Sequence, residues 1–398
     1  MAYAMPEIKP AEPAPDNAGE GNPGRYKYSQ RILSGLTAES IQIHPSGQCK
    51  EFPEMNRTFR FVPLFLCMMF TMQFSLFSLG SKESSVSRDK EIIVWTYDSF
   101  NSEWGPGPQI KKRFEEETGL TLRFVSHGDA GTLLSHLLFE KDQADADVIL
   151  GIDQNMMDRA IATGLLEPYK PGNAEALIPE IIIDPQFRVI PVDYSYFALI
   201  YDSEKIPNPP ASLEDLTKPE YERKLILMDP RTSSPGLGFL AWTKLVYQGN
   251  WLDYWKRLAP SILTIADGWS SGYGLFTSGE APLVLSYTTS PGYHLKYEGT
   301  ERYQAAMFRE GHPIQIELAA LLKAAKNKPG AKRFIDFILE ENFQDIIPET
   351  NWMYPVTPIP LPPSFRINPK SDISLYTEPL SEADIDAWAE LMAGIKRW

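Results

Sequence analysis

From Glu91 onward the chain alternates short apolar runs with amphipathic segments, and this alternation restricts the fold more than any other feature of the sequence. The run Glu91 to Thr96 predicts a buried strand, and a helical pattern follows near residues 108–118 and ends at Gly119. The same pattern then predicts strands at 121–125 and 147–150 and helices at 132–140 and 156–162. Strands and helices in alternation predict an α/β fold with a parallel sheet that is covered by helices on both faces.

The alternation is interrupted by extended segments that have no helix between them. One pair, 187–192 and 196–201, precedes a second series of strands and helices, and another pair lies at 303–308 and 315–321. The second series comprises predicted strands at 225–228, 262–265 and 283–286 and helices near 236–247 and 269–277. This order predicts two lobes joined by crossing strands at 189–201 and 303–321. A ligand cleft is expected where the strand ends of both lobes meet.

The domain boundaries follow from this order. We assign residues 88–192 plus 310–350 to the first lobe and residues 193–309 plus 351–398 to the second lobe. The second lobe includes a C-terminal helix over 382–395, which a capping box at Ser381 begins.

The N-terminal residues precede the predicted lobes. Residues 1–54 are rich in Pro and Gly and lack periodicity, which is typical of a disordered segment or of a start codon placed too early. Residues 55–80 have the layout of a secretory signal peptide, with two arginines, the apolar run 61–70 and the small residues of Ser78-Leu79-Gly80. An uncleaved membrane anchor is the alternative, although polar residues after position 70 interrupt the apolar run.

Charge and cysteine usage limit the partners and the chemistry. The formal net charge is −14, and residues 1–80 hold seven basic and seven acidic residues, so the negative charge lies on the predicted lobes. An acidic body argues against nucleic acid as a partner, because phosphate backbones bind basic patches. Both cysteines, Cys49 and Cys67, precede residue 80, so the lobes have no disulfide, thiolate metal site or cysteine nucleophile.

Polar and aromatic side chains gather where the predicted strands end. Hydroxyls and backbone amides at the start of a helix suit an anion, and the faces of Trp and Tyr attract flat rings and cations. The segments that combine these groups are TYDSFNSEWGPGP (96–108), HGDAG (127–131), DPRTSSPGLG (229–238), GWSSGY (268–273), SYTTSPGY (286–293) and NWMYP (351–355).

These residues also have purely structural interpretations. Tyr97 and Trp269 can pack in the core, and Tyr287 can point to either face of its strand. Asp129 and the Ser233-Ser234 pair can cap helices. The clustering of all six segments at strand ends nevertheless favours a binding surface.

No catalytic set accompanies these segments. The histidines lack metal-ligand spacing, and no G-x-S-x-G or Walker motif occurs. The sequence therefore favours a binding protein, without a metal site or cofactor, over an enzyme.

Several of these segments are long enough to indicate a family. TYDSFNSEWGPGP, ADVILGIDQN (146–155), DPRTSSPGLGFL, GWSSGYGLF, LSYTTSPGYH and NWMYPV resemble the thiamine-binding periplasmic proteins, the solute-binding subunits of bacterial thiamine ABC transporters. The resemblance covers about residues 90–360 in collinear order. It implies the two-lobed type II periplasmic-binding-protein fold, hinge closure and a location in the periplasm. It also implies that thiamine, thiamine monophosphate or thiamine diphosphate is the transported ligand and that a thiamine permease and its ATPase subunit are the partners.

The resemblance also assigns roles to individual residues. The aromatic surround of the ligand's two rings would comprise Tyr97, Trp269, Tyr293 and Trp352. Asp129 and Ala130 would contact the rings, and Ser233 and Ser234 would face the phosphate or hydroxyethyl end. The lining of the second lobe would comprise Tyr287, Thr288, Thr289 and Ser290. Ala130 departs from the Gly of some members, and a cysteine pair that some members carry near the first helix is missing.

Two alternatives are left by the sequence. The first is the same fold with another ligand, such as ferric ion, a polyamine or a phosphonate. Ferric sites require adjacent tyrosines, whereas Tyr287 and Tyr293 are six residues apart. Polyamine sites require several acids, whereas these segments are richer in hydroxyls. The second is a thiamine-degrading transferase of this fold, whose cysteine nucleophile the lobes lack.

Overall fold

A computed structural model describes residues 88–371 and 373–395, which belong to a unit spanning Gly80–Trp398. The predicted N-terminal extension 1–54 and signal peptide 55–80 lie outside the described residues. None of the helices in the described part of the chain has the length and apolar character needed to span a membrane.

The helices predicted from the sequence are present with bounds that differ by at most two residues, and five further helices, α5 and α7 to α10, were not predicted. The described strands are β1 (Glu91–Thr96), β2 (Thr121–Ser126), β3 (Val148–Asp153), β4 (Leu166–Glu167), β5 (Ile190–Asp202), β6 (Leu225–Met228), β7 (Ile262–Ala266), β8 (Leu283–Tyr287), β9 (Tyr303–Ala306), β10 (His312–Leu322), β11 (Tyr354–Pro355) and β12 (Ser374–Leu375). The described helices are α1 (Gly107–Thr118), α2 (Ala130–Glu140), α3 (Gln154–Ala162), α4 (Ser234–Tyr247), α5 (Trp251–Leu258), α6 (Trp269–Thr277), α7 (Pro291–Tyr297), α8 (Lys328–Ile338), α9 (Glu341–Gln344), α10 (Ile347–Thr350) and α11 (Glu382–Gly394).

The strands form a mixed sheet with two parallel groups. The strand order is β2-β1-β3-β10-β5-β8-β6-β7, with β1, β2 and β3 parallel at one end and β6, β7 and β8 parallel at the other. Strands β10 and β5 lie between the two groups and pair antiparallel with each other. The parallel α/β alternation predicted from the sequence is therefore present in each group.

Strand β5 belongs to both groups. Residues 190–192 of the first predicted segment and the whole of the second, 196–201, belong to one continuous strand, because the backbone between them stays extended. Residues 187–189 precede this strand, and Phe187 has a φ of +52°. The first half of β5 pairs with β10, from Ile190 to Tyr196, and its second half pairs with β8 and β9. This course is the one expected of a strand that crosses between lobes, although the lobe boundaries themselves stay a prediction.

A glycine allows the backbone to make a close approach in the corner between β1 and α1. A Cβ atom at Gly105 would lie 2.1 Å from the carbonyl oxygen of Ser99 and 2.6 Å from that of Phe100. Because only glycine fits this approach, the chain turns tightly and presents Trp104, which is 57% exposed, at the edge of the corner. Phe100 is instead fully buried, and its ring packs edge-on against Tyr97.

Candidate functional site

A cleft lies at the carboxyl ends of strands from both parallel groups, and the space between its walls, open solvent included, is about 600 Å³. We call it the main cleft. Its aromatic lining residues are Tyr97, Trp104, Trp269, Tyr287 and Trp352, and its polar lining residues are Ser99, Asp129, Ser234, Ser290, Gln315, Glu317, Thr350 and Asn351. Ala130, Gly151, Pro235 and Met353 complete the wall.

The structure brings most of the predicted site residues together. Those that line the main cleft are Tyr97, Asp129, Ala130, Ser234, Trp269, Tyr287, Ser290 and Trp352. Tyr293 lines an adjoining aromatic pocket, which shares Trp104, Trp269, Ser290 and Trp352 with the main cleft. Their role in ligand binding stays a prediction.

Three predicted residues lie behind the cleft surface rather than on it. Thr288 and Thr289 are fully buried, because the chain after β8 turns back onto β5. The Thr288 amide donates to the Tyr196 carbonyl oxygen, and the Thr289 hydroxyl lies 3.0 Å from that of Ser195. Ser233 is also fully buried. Ser233 stands at the N-cap position of α4, as the helix-cap interpretation has it, but its hydroxyl makes no capping hydrogen bond.

Trp269 forms one aromatic wall. Its ring stacks on Tyr273 with 4.9 Å between centroids, and its indole nitrogen donates to the Ser286 hydroxyl at 2.8 Å. The indole is half-buried, which leaves part of its surface to the main cleft and to the adjoining pocket. Trp269 is thus fixed in orientation by its neighbours while it remains accessible to a ligand.

Trp352 provides a second aromatic surface. Its ring stacks on Phe365 and meets Tyr293 edge-on, with centroids 5.6 Å apart. Its φ is +57°, in the left-handed region that a bulky residue rarely adopts. Backbone strain of this kind clusters at binding sites, where the surrounding structure holds it.

Asp129 joins the two parallel groups. It caps α2 by accepting from the Ala130 amide at 2.7 Å, and its other oxygen accepts from the Trp269 amide at 2.9 Å. Nearby, the Gly131 amide donates to the Thr232 carbonyl oxygen. The N-cap interpretation of Asp129 is therefore correct, but the same carboxylate also bridges both walls of the cleft. Burial raises its pKa, and the two amide hydrogen bonds oppose that rise.

A row of buried acids crosses the sheet beneath the cleft, and the sequence analysis missed it. Glu317 on β10 is paired directly opposite Asp153 on β3 and Asp193 on β5. Residues directly opposite one another in a sheet point to the same face. All three are at most 3% exposed, and none forms an ion pair with a described Lys, Arg or His.

Hydrogen bonds connect this row to the aromatic lining. The Tyr97 hydroxyl donates to Glu317 Oε2 at 2.9 Å, and the Asn351 amide donates to Asp193 Oδ2 at 2.7 Å and lies 3.1 Å from the Tyr97 hydroxyl. Asp153 accepts from the Asn155 amide. The floor of the cleft therefore contains a connected network of Glu317, Tyr97, Asn351 and Asp193, beside which Asp153 bonds separately to Asn155.

Burial dominates the acid–base properties of the floor. It raises the pKa of Asp153 and of Asp193 to about 7. It raises the pKa of Glu317 well above its ordinary value, and the neighbouring Asp193 adds to that rise. Burial also raises the pKa of Tyr97, so its phenol stays protonated and acts as a donor. A ligand with a positive charge would therefore stabilise the ionised forms of these acids.

A family model and several relatives match this chain. Residues 145–372 match the model described as bacterial extracellular solute-binding protein. The thiamine-binding periplasmic protein of Brucella abortus biovar 1 (strain 9-941) is 45% identical over 315 residues, which cover 78% of this chain and 93% of that protein. The thiamine-binding periplasmic protein of Escherichia coli (strain K12) is 41% identical over 307 residues, which cover 77% of this chain and 92% of that protein.

Solved structures extend the comparison. One described as a periplasmic thiamin binding protein is 40% identical, has a TM-score of 0.73, and is matched over 77% of this chain and 96% of its own. The apo ferric ion-binding protein A of Pasteurella haemolytica, 18% identical with a TM-score of 0.62, shares the fold alone.

These matches confirm three predictions: the periplasmic-binding-protein fold of the α/β class, a role in solute binding rather than catalysis, and a location in the periplasm. They also support a small-molecule ligand and a permease as partners. The chain belongs to the bacterial extracellular solute-binding proteins and, among them, to the family of the thiamine-binding periplasmic proteins.

Proposed function

We propose that this protein captures thiamine and its phosphates in the main cleft and delivers them to a thiamine permease and its ATPase subunit. The observation that carries the proposal is the combination of aromatic walls with buried carboxylates that have no cationic partner among the described residues. Thiamine joins a flat aminopyrimidine to a permanently charged thiazolium ring. The names of the relatives support the same ligand.

The physical chemistry of the cleft matches both halves of this ligand. A cation held over an aromatic face and shielded from water gains on the order of 1–2 kcal/mol. A stacked ring pair adds roughly 1 kcal/mol beyond the burial of area. The buried acids add to the ring contacts, because a ligand cation relieves part of the cost of ionising a buried carboxyl group.

A polyamine is the second candidate, because the row of Asp153, Glu317 and Asp193 would also suit an amine cation. The aromatic walls favour thiamine, since a polyamine has no ring to stack on Trp269 or Trp352. Thiamine would therefore use both the aromatic walls and the acids of the cleft, whereas a polyamine would use the acids alone.

The proposed function is tested by calorimetric titration and thermal shift of the purified protein with thiamine, its monophosphate and diphosphate, spermidine and ferric citrate. We expect binding of the thiamine compounds and a higher melting temperature, since a ligand at about 100 times its Kd adds about 2.7 kcal/mol to the free energy of unfolding. Stabilisation by spermidine alone would assign the cleft to a polyamine. Stabilisation by ferric citrate alone would assign it to iron.

Ser234 is expected to contact the phosphate of the phosphorylated ligands. It begins α4 and lines the main cleft, and its hydroxyl has no hydrogen-bond partner among the described residues. A hydrogen bond to a charged group contributes about 1.5–3 kcal/mol, so Ser234→Ala should weaken binding of the monophosphate about tenfold or more and binding of thiamine much less. Titration of both ligands against the wild type, Ser234→Ala and the cleft control Ser99→Ala measures the difference. An equal loss for both ligands in Ser234→Ala would show that the serine does not contact phosphate.

The ligand-free protein is expected to be more open than this structure. The Asp129–Trp269 and Gly131–Thr232 hydrogen bonds connect the two parallel groups across the cleft, so the structure has the contacts of a closed form. A ligand that touches both walls favours that form by its differential affinity. Saturating thiamine should therefore lower the radius of gyration in solution scattering. A radius that thiamine leaves unchanged, despite measured binding, would show that the lobes do not close.

A further inference from the structure

The row of acids beneath the main cleft contains a pair that cannot be fully ionised without a cation. Glu317 and Asp193 lie directly opposite each other on the antiparallel strands β10 and β5, and each is at most 3% exposed. Cβ atoms of directly opposite residues are about 5 Å apart. Two buried carboxylates at such a separation repel each other strongly when both are charged.

One carboxylate oxygen of Glu317 also lacks a hydrogen-bond partner among the described residues. Its Oε2 accepts from Tyr97, but its Oε1 is buried, has no hydrogen-bond partner among the described residues, and belongs to a side chain that lines the main cleft. Oδ1 of Asp193 is buried and lacks a described partner in the same way. An oxygen left in this state loses the full free energy of its hydration unless a proton or a ligand pairs with it.

The groups that face Glu317 supply no positive charge. They are Asp153 from β3, Asp193 from β5, Tyr97 from β1, Asp129 from the start of α2 and Tyr287 from β8. Every one is an acid or a neutral phenol. The compensating charge must therefore come from a proton or from the ligand.

We propose that Glu317 and Asp193 hold one proton between them in the ligand-free cleft and that the ligand's permanent cation replaces this proton. On binding, the O–H bond of the protonated carboxyl breaks, the proton passes to bulk water, and the carboxylate pair is left with one more negative charge opposite the thiazolium. Glu317 is then the residue that selects a permanent cation. This inference rests on thiamine being the ligand, as proposed above.

The proposed exchange of a proton for the ligand cation predicts how the Kd for thiamine changes with pH. Because the ligand-free pair holds a proton that the complex does not, affinity rises with pH while the pair is protonated and levels off once the free pair has lost the proton. Burial raises the pKa of both groups, and that of Asp193 is about 7. The rise should therefore extend through about pH 7 and stop only once the free pair has lost its proton. While the rise lasts, one released proton lowers the Kd about tenfold per pH unit.

Calorimetric titration of the wild-type protein with thiamine at about pH 7, in buffers of different ionisation enthalpy, counts the protons released. We expect close to one proton per thiamine bound, and about none for the neutral aminopyrimidine fragment of thiamine. In Glu317→Gln, which keeps an acceptor for Tyr97, we expect release below about 0.3 protons and a Kd at least about tenfold higher. Asp98→Asn is the control, because Asp98 is exposed at the corner between β1 and α1. This variant should release the same number of protons as the wild type.

The outcomes separate this inference from the proposed function. Thiamine that fails to bind at any pH contradicts the proposed function. Thiamine that binds with no proton release, or with proton uptake, overturns the exchange while the function stands. Release that persists unchanged in Glu317→Gln overturns the assignment to this pair. The proton count and the pH dependence of the wild-type Kd need no variant, so the inference is tested even if Glu317→Gln fails to fold.

Discussion

Trp269→Ala is expected to weaken thiamine binding by about 100-fold or more while the free protein stays folded. The Trp269 indole is one of the three that line both the main cleft and the adjoining aromatic pocket, and removing it takes away both a stacking face and a cation–π surface. A loss of about 3 kcal/mol is typical of removing a buried aromatic anchor from a binding site. Titration calorimetry gives the change in Kd, and thermal unfolding of the ligand-free protein gives the change in stability.

The matched control is Trp269→Phe, which keeps a ring over Tyr273 but loses the hydrogen bond from the indole to Ser286. We expect this variant to recover most of the lost affinity. Trp269 is half-buried, so its removal also costs some stability, but the loss of binding free energy should exceed the loss of unfolding free energy. If the two losses are equal in the alanine variant, Trp269 is a core residue and not a ligand contact.

Much of the fold was predictable because local patterns carried it. The strand over Glu91–Thr96, the helix over Trp269–Thr277 and the capping box at Ser381 lie where apolar periodicity and cap chemistry predicted them. Helix α7 was missed because it begins inside the segment TTSPGY, whose Pro and Gly are typical of a turn. Here Pro291 instead occupies the first turn of a helix, where its missing amide proton costs nothing.

The site was predictable only in part, for a different reason. Strand ends gather in one place in any α/β sheet, so Tyr97, Asp129 and Trp269 could be grouped from the sequence pattern alone. Whether a residue after a strand faces the cleft depends on the local turn, and the turn after β8 buries Thr288 and Thr289.

The acids were missed because their proximity depends on pairing between strands distant in sequence. Glu317 nevertheless gave a local indication, since it is a charged residue inside the apolar run HPIQIELAALL, which the structure buries throughout. A charge in such a position is rarely tolerated without a partner or a function.

Gly151→Ala is expected to remove most thiamine binding and to lower the melting temperature by about 5–10 °C, although Gly151 carries no side chain of its own. A Cβ atom there would lie 2.3 Å from Cδ1 and 2.7 Å from Cε1 of the Tyr97 ring. Tyr97 has little room to move, because its hydroxyl is held by Glu317 and Asn351 and its ring packs on Phe100. The added methyl group should therefore displace the ring from the cleft and break its hydrogen bond to Glu317. Thermal unfolding and thiamine titration measure the two effects.

Gly164→Ala is the control that separates this contact from backbone strain. Both glycines have positive φ, +121° at Gly151 and +72° at Gly164, but a Cβ at Gly164 would meet nothing within 4 Å. The control should cost about 1 kcal/mol of stability and leave the thiamine Kd unchanged, because alanine in the left-handed region is strained wherever it lies. Overpacking against Tyr97 adds roughly 1–3 kcal/mol at Gly151 alone. If Gly151→Ala binds thiamine as tightly as Gly164→Ala does, the position of the Tyr97 ring does not matter to the ligand. The aromatic cleft would then have to be assigned without Tyr97.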